Sequence, residues 1–226
     1  MTGADLEPGR PVRIWDRPTR VFHWVLVALF IVCYVSGDRG RFDIHIMAGQ
    51  ALLILVVARI IWGFVGSDTA RFHQFLRSPG VIMAHVRSLG ERRPGHDAGH
   101  NPLGGLSVVL MLFVLLVHTG SGLFAVDVDG WNEGPLSHLV SYEAARNASG
   151  VHAVTVDILL VLVALHVAAV GFHWLYKRDN LVLPMVTGRK HLPPEHDQPR
   201  IAPDLRALAT LAVAASVVLG VLSLAG

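Results

Sequence analysis

Five apolar stretches constrain this chain more than anything else in it: roughly residues 21–37, 44–66, 103–125, 151–176 and 204–225. Each is long enough to cross a hydrocarbon core about 30 Å thick, although the first is the shortest and needs flanking residues or local thinning. Lipid offers the backbone no hydrogen-bond partners, so such stretches fold as helices. Hydrophobic residues make up 52% of the 226 and charged residues only 16%, with a mean hydropathy of +0.49. The expectation is an all-α integral membrane protein.

The sequence pI near 9.0 could point to nucleic acid, but the cations are distributed by loop. Arg10, Arg13, Arg17 and Arg20 precede the first span. Arg71, Arg77, Arg87, Arg92 and Arg93 follow the second, and Lys177, Arg178, Arg189, Lys190, Arg200 and Arg206 lie between or at the start of the last two. The alternate loops hold only Arg39, Arg41 and Arg146. By the positive-inside rule the N-terminus is cytoplasmic and, after five spans, the C-terminus is periplasmic, with no role for nucleic acid. Asp5, Glu7 and the arginines ahead of the first span leave no cleavable signal pattern, so that span itself is expected to direct membrane insertion. The single cysteine, Cys33, excludes an internal disulfide framework and a Cys-ligated cluster, and reads as core packing.

Between the second and third spans, Ser78-Pro79 opens an amphipathic stretch through Leu89 that suits a helix lying on the membrane surface. Asn101-Pro102 is a helix start, with Asn101 as N-cap. Residues 126–150 are expected to form an outer loop whose Asp127, Asp129, Glu133 and Glu143 face a single Arg146. Such a surface either steers a cationic partner or reflects topology alone.

The chemistry lies in the histidines. His152 and His166 are fourteen residues apart on one apolar stretch, almost four helical turns, and so share a face about 21 Å apart along the axis. On the inferred topology His45 matches the depth of His152, and His23 that of His166. Imidazole inside a membrane span marks a functional site, and imidazole is a common axial ligand of haem iron. Two pairs at two depths meet the needs of two bis-histidine haems in a helical bundle, with no open axial position and hence electron transfer rather than oxygen binding. His173 continues the same face but sits in an interfacial belt, and is assigned a structural, propionate-contacting or quinone-site role. His118 has no partner at matching depth among the four and reads as a hydrogen bond to a neighbouring helix.

Haem propionates need cations. Arg20 and Arg59 qualify inside, and Arg39 or Arg41 outside; Arg59, within an apolar run, either meets a propionate or snorkels to the interface. Asp157 either relays protons or bonds a neighbouring helix. Gly49, Gly63, Gly104, Gly105, Gly120 and Gly122 permit close approach of helices or of a flat macrocycle.

The order RVFHW, HIMAGQ, ARIIWGFVGS, GHNPLGGLSVVL, EGPLSHLV, VHAVTVDILLVLVALHV and RDNLVLPMVTGRK, from about residue 13 to 190, resembles the bacterial cytochrome b561 family, which includes b-type cytochrome subunits of nickel–iron hydrogenases. The resemblance implies a four-helix haem-binding bundle over 21–176 holding two haem b, with ligands at His23, His45, His152 and His166. A cytoplasmic segment, 1–20, precedes that bundle, a cytoplasmic connection, 177–203, follows it, and 204–226 forms a fifth C-terminal transmembrane helix outside the four-helix core. It also implies electron exchange between a quinone pool and an outer redox partner; the HNPLG and EGPL motifs point to a c-type cytochrome. Two other functions compete: oxidation of superoxide with transfer to quinone, and haem-free transport of a transition metal. The split of the histidines between two depths argues against a transport site.

Overall fold

The computed structural model describes residues 10–92, 99–129, 131–194 and 196–225. Asp5, Glu7 and Arg93, used above for topology, lie outside the described residues. Among the described residues five helices are long and apolar enough to span: α1 Arg17–Asp38, α2 Phe42–Val65, α5 Pro102–Gly122, α6 Tyr142–Leu175 and α8 Asp204–Leu222. Short helices fill the connections: α3 Phe72–Phe75, α4 Pro79–Arg87 and α7 Val182–Thr187.

Local chemistry sets the helix starts. Asp16 caps α1, its carboxylate accepting from the Thr19 N–H at 2.5 Å, and Asn101 caps α5 by accepting from the Gly104 N–H at 2.7 Å. The amphipathic stretch after Ser78 is α4. It buries none of its residues fully, and Val81, Met83 and Val86 stay exposed, as suits an element facing lipid.

α6 differs from its expected extent. It begins at Tyr142, nine residues before the apolar run, because Ser141 caps it through the Ala144 N–H and Glu143 sits in its first turn. Its 34 residues reach about 51 Å, so one end stands clear of the hydrocarbon. The outer loop is correspondingly shorter than 126–150. Two of its four acids also have structural work: Asp127 accepts from the Trp131 and Asn132 backbone, and Glu133 from the Ser137 hydroxyl.

Close packing joins α1 to α2, α2 to α5, α5 to α6 and α2 to α8. The main core is one apolar slab in which Cys33, Leu52, Val56, Leu112, Leu115 and Leu159 interlock. Cys33 is therefore a core residue, as expected. A two-stranded antiparallel ribbon, β1 Arg10–Arg13 with β2 Arg189–Leu192, departs from the helical pattern and sets Arg13 opposite Arg189. Val12 and Leu192 bury beneath it with Ile14 and Trp15. The fifth span is fastened at its start: Arg17 meets Asp204 at 3.4 Å, and the Ala202 N–H donates to Ser67 Oγ at 2.9 Å.

Candidate functional site

The slab separates two histidine layers. Leu159, buried to 1% exposure, lies seven residues from both His152 and His166 on α6, and Leu52 lies seven residues after His45 on α2. On one side of the slab His45 of α2 faces His152 of α6, ring centroids 5.9 Å apart. On the other His23 of α1 faces His166 of α6 at 6.4 Å. The structure thus brings His45 near His152 and His23 near His166. Two metal–imidazole bonds of about 2 Å each, added to the radii of two rings, require a centroid separation near 6 Å. Each pair leaves that gap.

In the His45–His152 layer the tautomers are fixed. His45 Nδ1 donates to the Cys33 carbonyl at 2.8 Å, and His152 Nδ1 donates to the His118 carbonyl at 2.8 Å. Both Nε2 atoms are thereby left with a lone pair, the form in which imidazole binds a metal, and the backbone bonds set the ring planes. Glycines admit the rings: a Cβ at Gly37 would stand 3.0 Å from His45 Nδ1, and one at Gly122 would stand 2.9 Å from His152 Cε1. Gly49, one turn beyond His45, faces open space, as room for a flat group beside that imidazole requires. Gly63, Gly104 and Gly105 instead make room for Phe72, Asn101 and Phe75, which is ordinary helix and cap packing.

His118 overturns one expectation. It does match the depth of a layer: its ring stacks on His152 at 3.9 Å and 14°, and its Nδ1 lies 3.1 Å from the His152 carbonyl and 2.9 Å from Thr155 Oγ1. The two histidines thus exchange bonds between α5 and α6, which makes His118 the hydrogen bond to a neighbouring helix that the sequence indicated. Its support of His152 could not be read from depth counting, because α6 begins at Tyr142 and not at the start of its apolar run, so His152 lies about two turns further along its helix than the count assumes.

Around His23 and His166 several buried polar atoms lack partners. His23 Nδ1, Arg59 Nη1 and His100 Nδ1 are among them. Arg59 is 4% exposed, so it does not snorkel; its guanidinium lies over the rings of Phe22 and Phe72 at 5.9 and 5.6 Å. Asp16, wholly buried, supplies the nearest counter-charge while accepting from Trp62 Nε1 at 3.2 Å. A buried guanidinium with an open N–H fits an anionic group such as a propionate. His100, just ahead of α5, packs edge-on against Trp15 at 4.7 Å. Burial, then the charges of Arg59, His166 and His23, pushes its imidazole down to about 3. His166 is exposed along an apolar span, where an uncovered imidazole is costly. These features together fit a haem at each layer.

The remaining candidates have other placements. Arg20 donates to the carbonyls of Asp16 and Val186, tying α1 to α7. Arg39 is exposed in the turn after α1, and Arg41 beside it pairs with Asp43 at 3.4 Å. Asp157 is exposed, turned about 140° around α6 from His152. His173 is buried; Asn101 Nδ2 donates to its Nε2 at 3.4 Å, and its Nδ1 has no partner. Lys177 nearby donates to the Ser88 carbonyl at 3.3 Å, and the buried Asp179 pairs with Lys190 at 2.9 Å. Among the described residues no cluster of three or more His, Cys, Asp or Glu is arranged to hold a bare metal ion.

The chain is similar to known proteins over most of its length. A protein of Bradyrhizobium diazoefficiens described as a probable Ni/Fe-hydrogenase B-type cytochrome subunit is 26% identical, the match covering 80% of this chain and 87% of that protein. The Rhizobium leguminosarum bv. viciae protein of the same description is 24% identical over 79% and 88%. A probable Ni/Fe-hydrogenase 1 B-type cytochrome subunit of Escherichia coli K12 is 21% identical over 62% and 72%. No solved structure matches. The sequence model of the prokaryotic cytochrome b561 family matches residues 14–188, and with five spanning helices around paired histidines the chain belongs to that family, as a membrane b-type cytochrome.

Proposed function

We propose that the protein is a di-haem cytochrome that carries electrons across the bacterial inner membrane between a quinone pool and a periplasmic redox partner. The observation that carries the proposal is the pair of histidine layers, 5.9 and 6.4 Å across, on opposite sides of one apolar slab. Haem b held between the imidazoles of each pair would supply a one-electron iron couple. The chain's part is to hold His45 and His152 in the ligating tautomer, to place Arg59 as counter-charge beside His23 and His166, and to exclude water with Leu52, Val56 and Leu159. Along α6 the layers stand about 21 Å apart, so the two redox partners need not meet.

His173 is the favoured quinone contact. Asn101 fixes its tautomer with the proton on the unpartnered Nδ1, a donor for a quinone carbonyl. At the other end Trp131, 86% exposed, stands beside Asp129 on a loop suited to a protein partner. A c-type cytochrome and, from the relatives' descriptions, a nickel–iron hydrogenase are the two candidates; reduction by one and not the other in reconstituted vesicles separates them. The pairing of Arg41 with Asp43 leaves little of a cationic funnel for superoxide.

The first test is a reduced-minus-oxidised spectrum with pyridine haemochrome quantitation. Two low-spin b haems per chain are expected, falling to one in His152→Ala and to one, the other, in His166→Ala. Full haem content in either variant would overturn the ligand assignment.

A further inference from the structure

A groove of about 610 Å³ lies between the last turns of α2 and the first turns of α8, apart from both histidine layers. Its floor is apolar: Ile61, Phe64, Val65 and Val213, with Phe64 68% and Val213 54% exposed. Its rim is cationic. Arg206 Nη1 donates to the Val65 carbonyl at 3.1 Å, and Arg71 Nε donates to the Gly66 carbonyl at 2.8 Å. Carbonyls at a helix C-terminus lack intrahelical partners, so the end of α2 gathers two guanidiniums on adjacent residues and holds them over the groove. A guanidinium has five N–H donors, and each arginine keeps donors beyond its carbonyl bond. Asp68, 3.7 Å from Arg71 Nη1, offsets one charge and leaves the rim net positive.

We infer that this groove binds one anionic diacyl phospholipid, its phosphodiester on Arg71 and Arg206 and one acyl chain along Phe64 and Val213. Charge at the rim and apolar surface below it complement a lipid's two ends. Basic pockets between transmembrane helices take anionic headgroups in this way, each cation near the surface adding about a fivefold preference. A partner helix in the same groove would have to bring a carboxylate to the rim. The site stands on the α2–α8 packing and is independent of haem number and of the direction of electron flow.

The test is native mass spectrometry of the haem-loaded full chain titrated with phosphatidylglycerol or with phosphatidylcholine of the same chains. The expected result is one phosphatidylglycerol bound about fivefold more tightly than phosphatidylcholine, a preference lost in Arg71→Gln/Arg206→Gln. Val213→Trp, which fills the groove and leaves both guanidiniums, should lower retention of both lipids. Equal retention of the two lipids by the unaltered protein would overturn the site. So would displacement by inorganic phosphate at the lipid's concentration, or a stable dimer that retains no lipid. Should the double variant fail to fold, phosphatidylglycerol retention undiminished in Val213→Trp overturns it alone. The haem spectrum of each sample reports the di-haem reading separately.

Discussion

At the scale of single residues, the His45–His152 layer is governed by backbone carbonyls and by atoms that glycine lacks. Gly37→Ala and Gly122→Ala each place a methyl about 3 Å from the ring of His45 or His152, so on the proposed di-haem reading each should lower occupancy of that haem and leave the other near one per chain. An unchanged haem count in both would show that the rings can shift without losing iron. His118 acts one step back. His118→Leu removes the stacked ring and one of the reciprocal bonds but keeps the carbonyl that receives the His152 proton. Two haems should remain, with one electron paramagnetic resonance signal moved and the other unaltered. Arg59 is a separate case: a buried positive charge favours the reduced, more negative form of a nearby iron. Arg59→Gln should therefore lower one midpoint potential, on the order of tens of millivolts, in a redox titration that resolves both haems. These residues were unequally legible in the sequence. The four histidines of the proposed ligand set could be paired from the inferred topology and the spacing on α6, because fourteen residues on one helix fix both face and depth. The burial of Arg59 could not be foreseen, because it depends on Asp16 and on two phenyl rings drawn from α1 and α3.

At the scale of elements, α6 carries one histidine for each layer and the leucine between them. Leu159→Ala would open a cavity in the slab and cost about 2–5 kcal/mol, seen as earlier loss of the b-haem spectrum on heating, with both haems still present at low temperature. Loss of a haem in this variant at low temperature would mean that the slab shapes the layers and does not merely separate them. Apolar periodicity places α6 well at its membrane-embedded turns and poorly at its start, where Tyr142–Gly150 is too polar to read as span. Ser141 and Glu143 carry the helix-start signal there, but a hydropathy reading gives it no weight. The ribbon escaped for another reason: Arg10–Arg13 and Arg189–Leu192 are short, charged and far apart in sequence, and their pairing follows from the bundle bringing both to one end.

At the scale of the whole molecule, the ribbon bears on orientation. It sets Arg10 and Arg13 beside Arg189 and Lys190, on the same end of the bundle as Arg17, Arg20, Arg71 and Arg206. The opposite end offers Arg39, Arg41 and Arg146, of which Arg41 is paired with Asp43 and Arg146 donates to the Val126 carbonyl. Positive charge is retained on the cytoplasmic side, and on that rule the proposed orientation puts the ribbon end inside and the loop bearing Asp129 and Trp131 outside. The only native thiol, Cys33, is buried and should stay silent toward a membrane-impermeant maleimide. Asp129→Cys should then be labelled in spheroplasts with an intact inner membrane, and His191→Cys, exposed on the ribbon, only after permeabilisation. Labelling in the reverse order would invert the molecule, putting His23 and His166 nearest the periplasm and the Trp131 loop out of reach of any periplasmic protein. The histidine geometry would survive that inversion, since it depends on helix packing alone, but the assignment of quinone and protein partner to their ends would exchange.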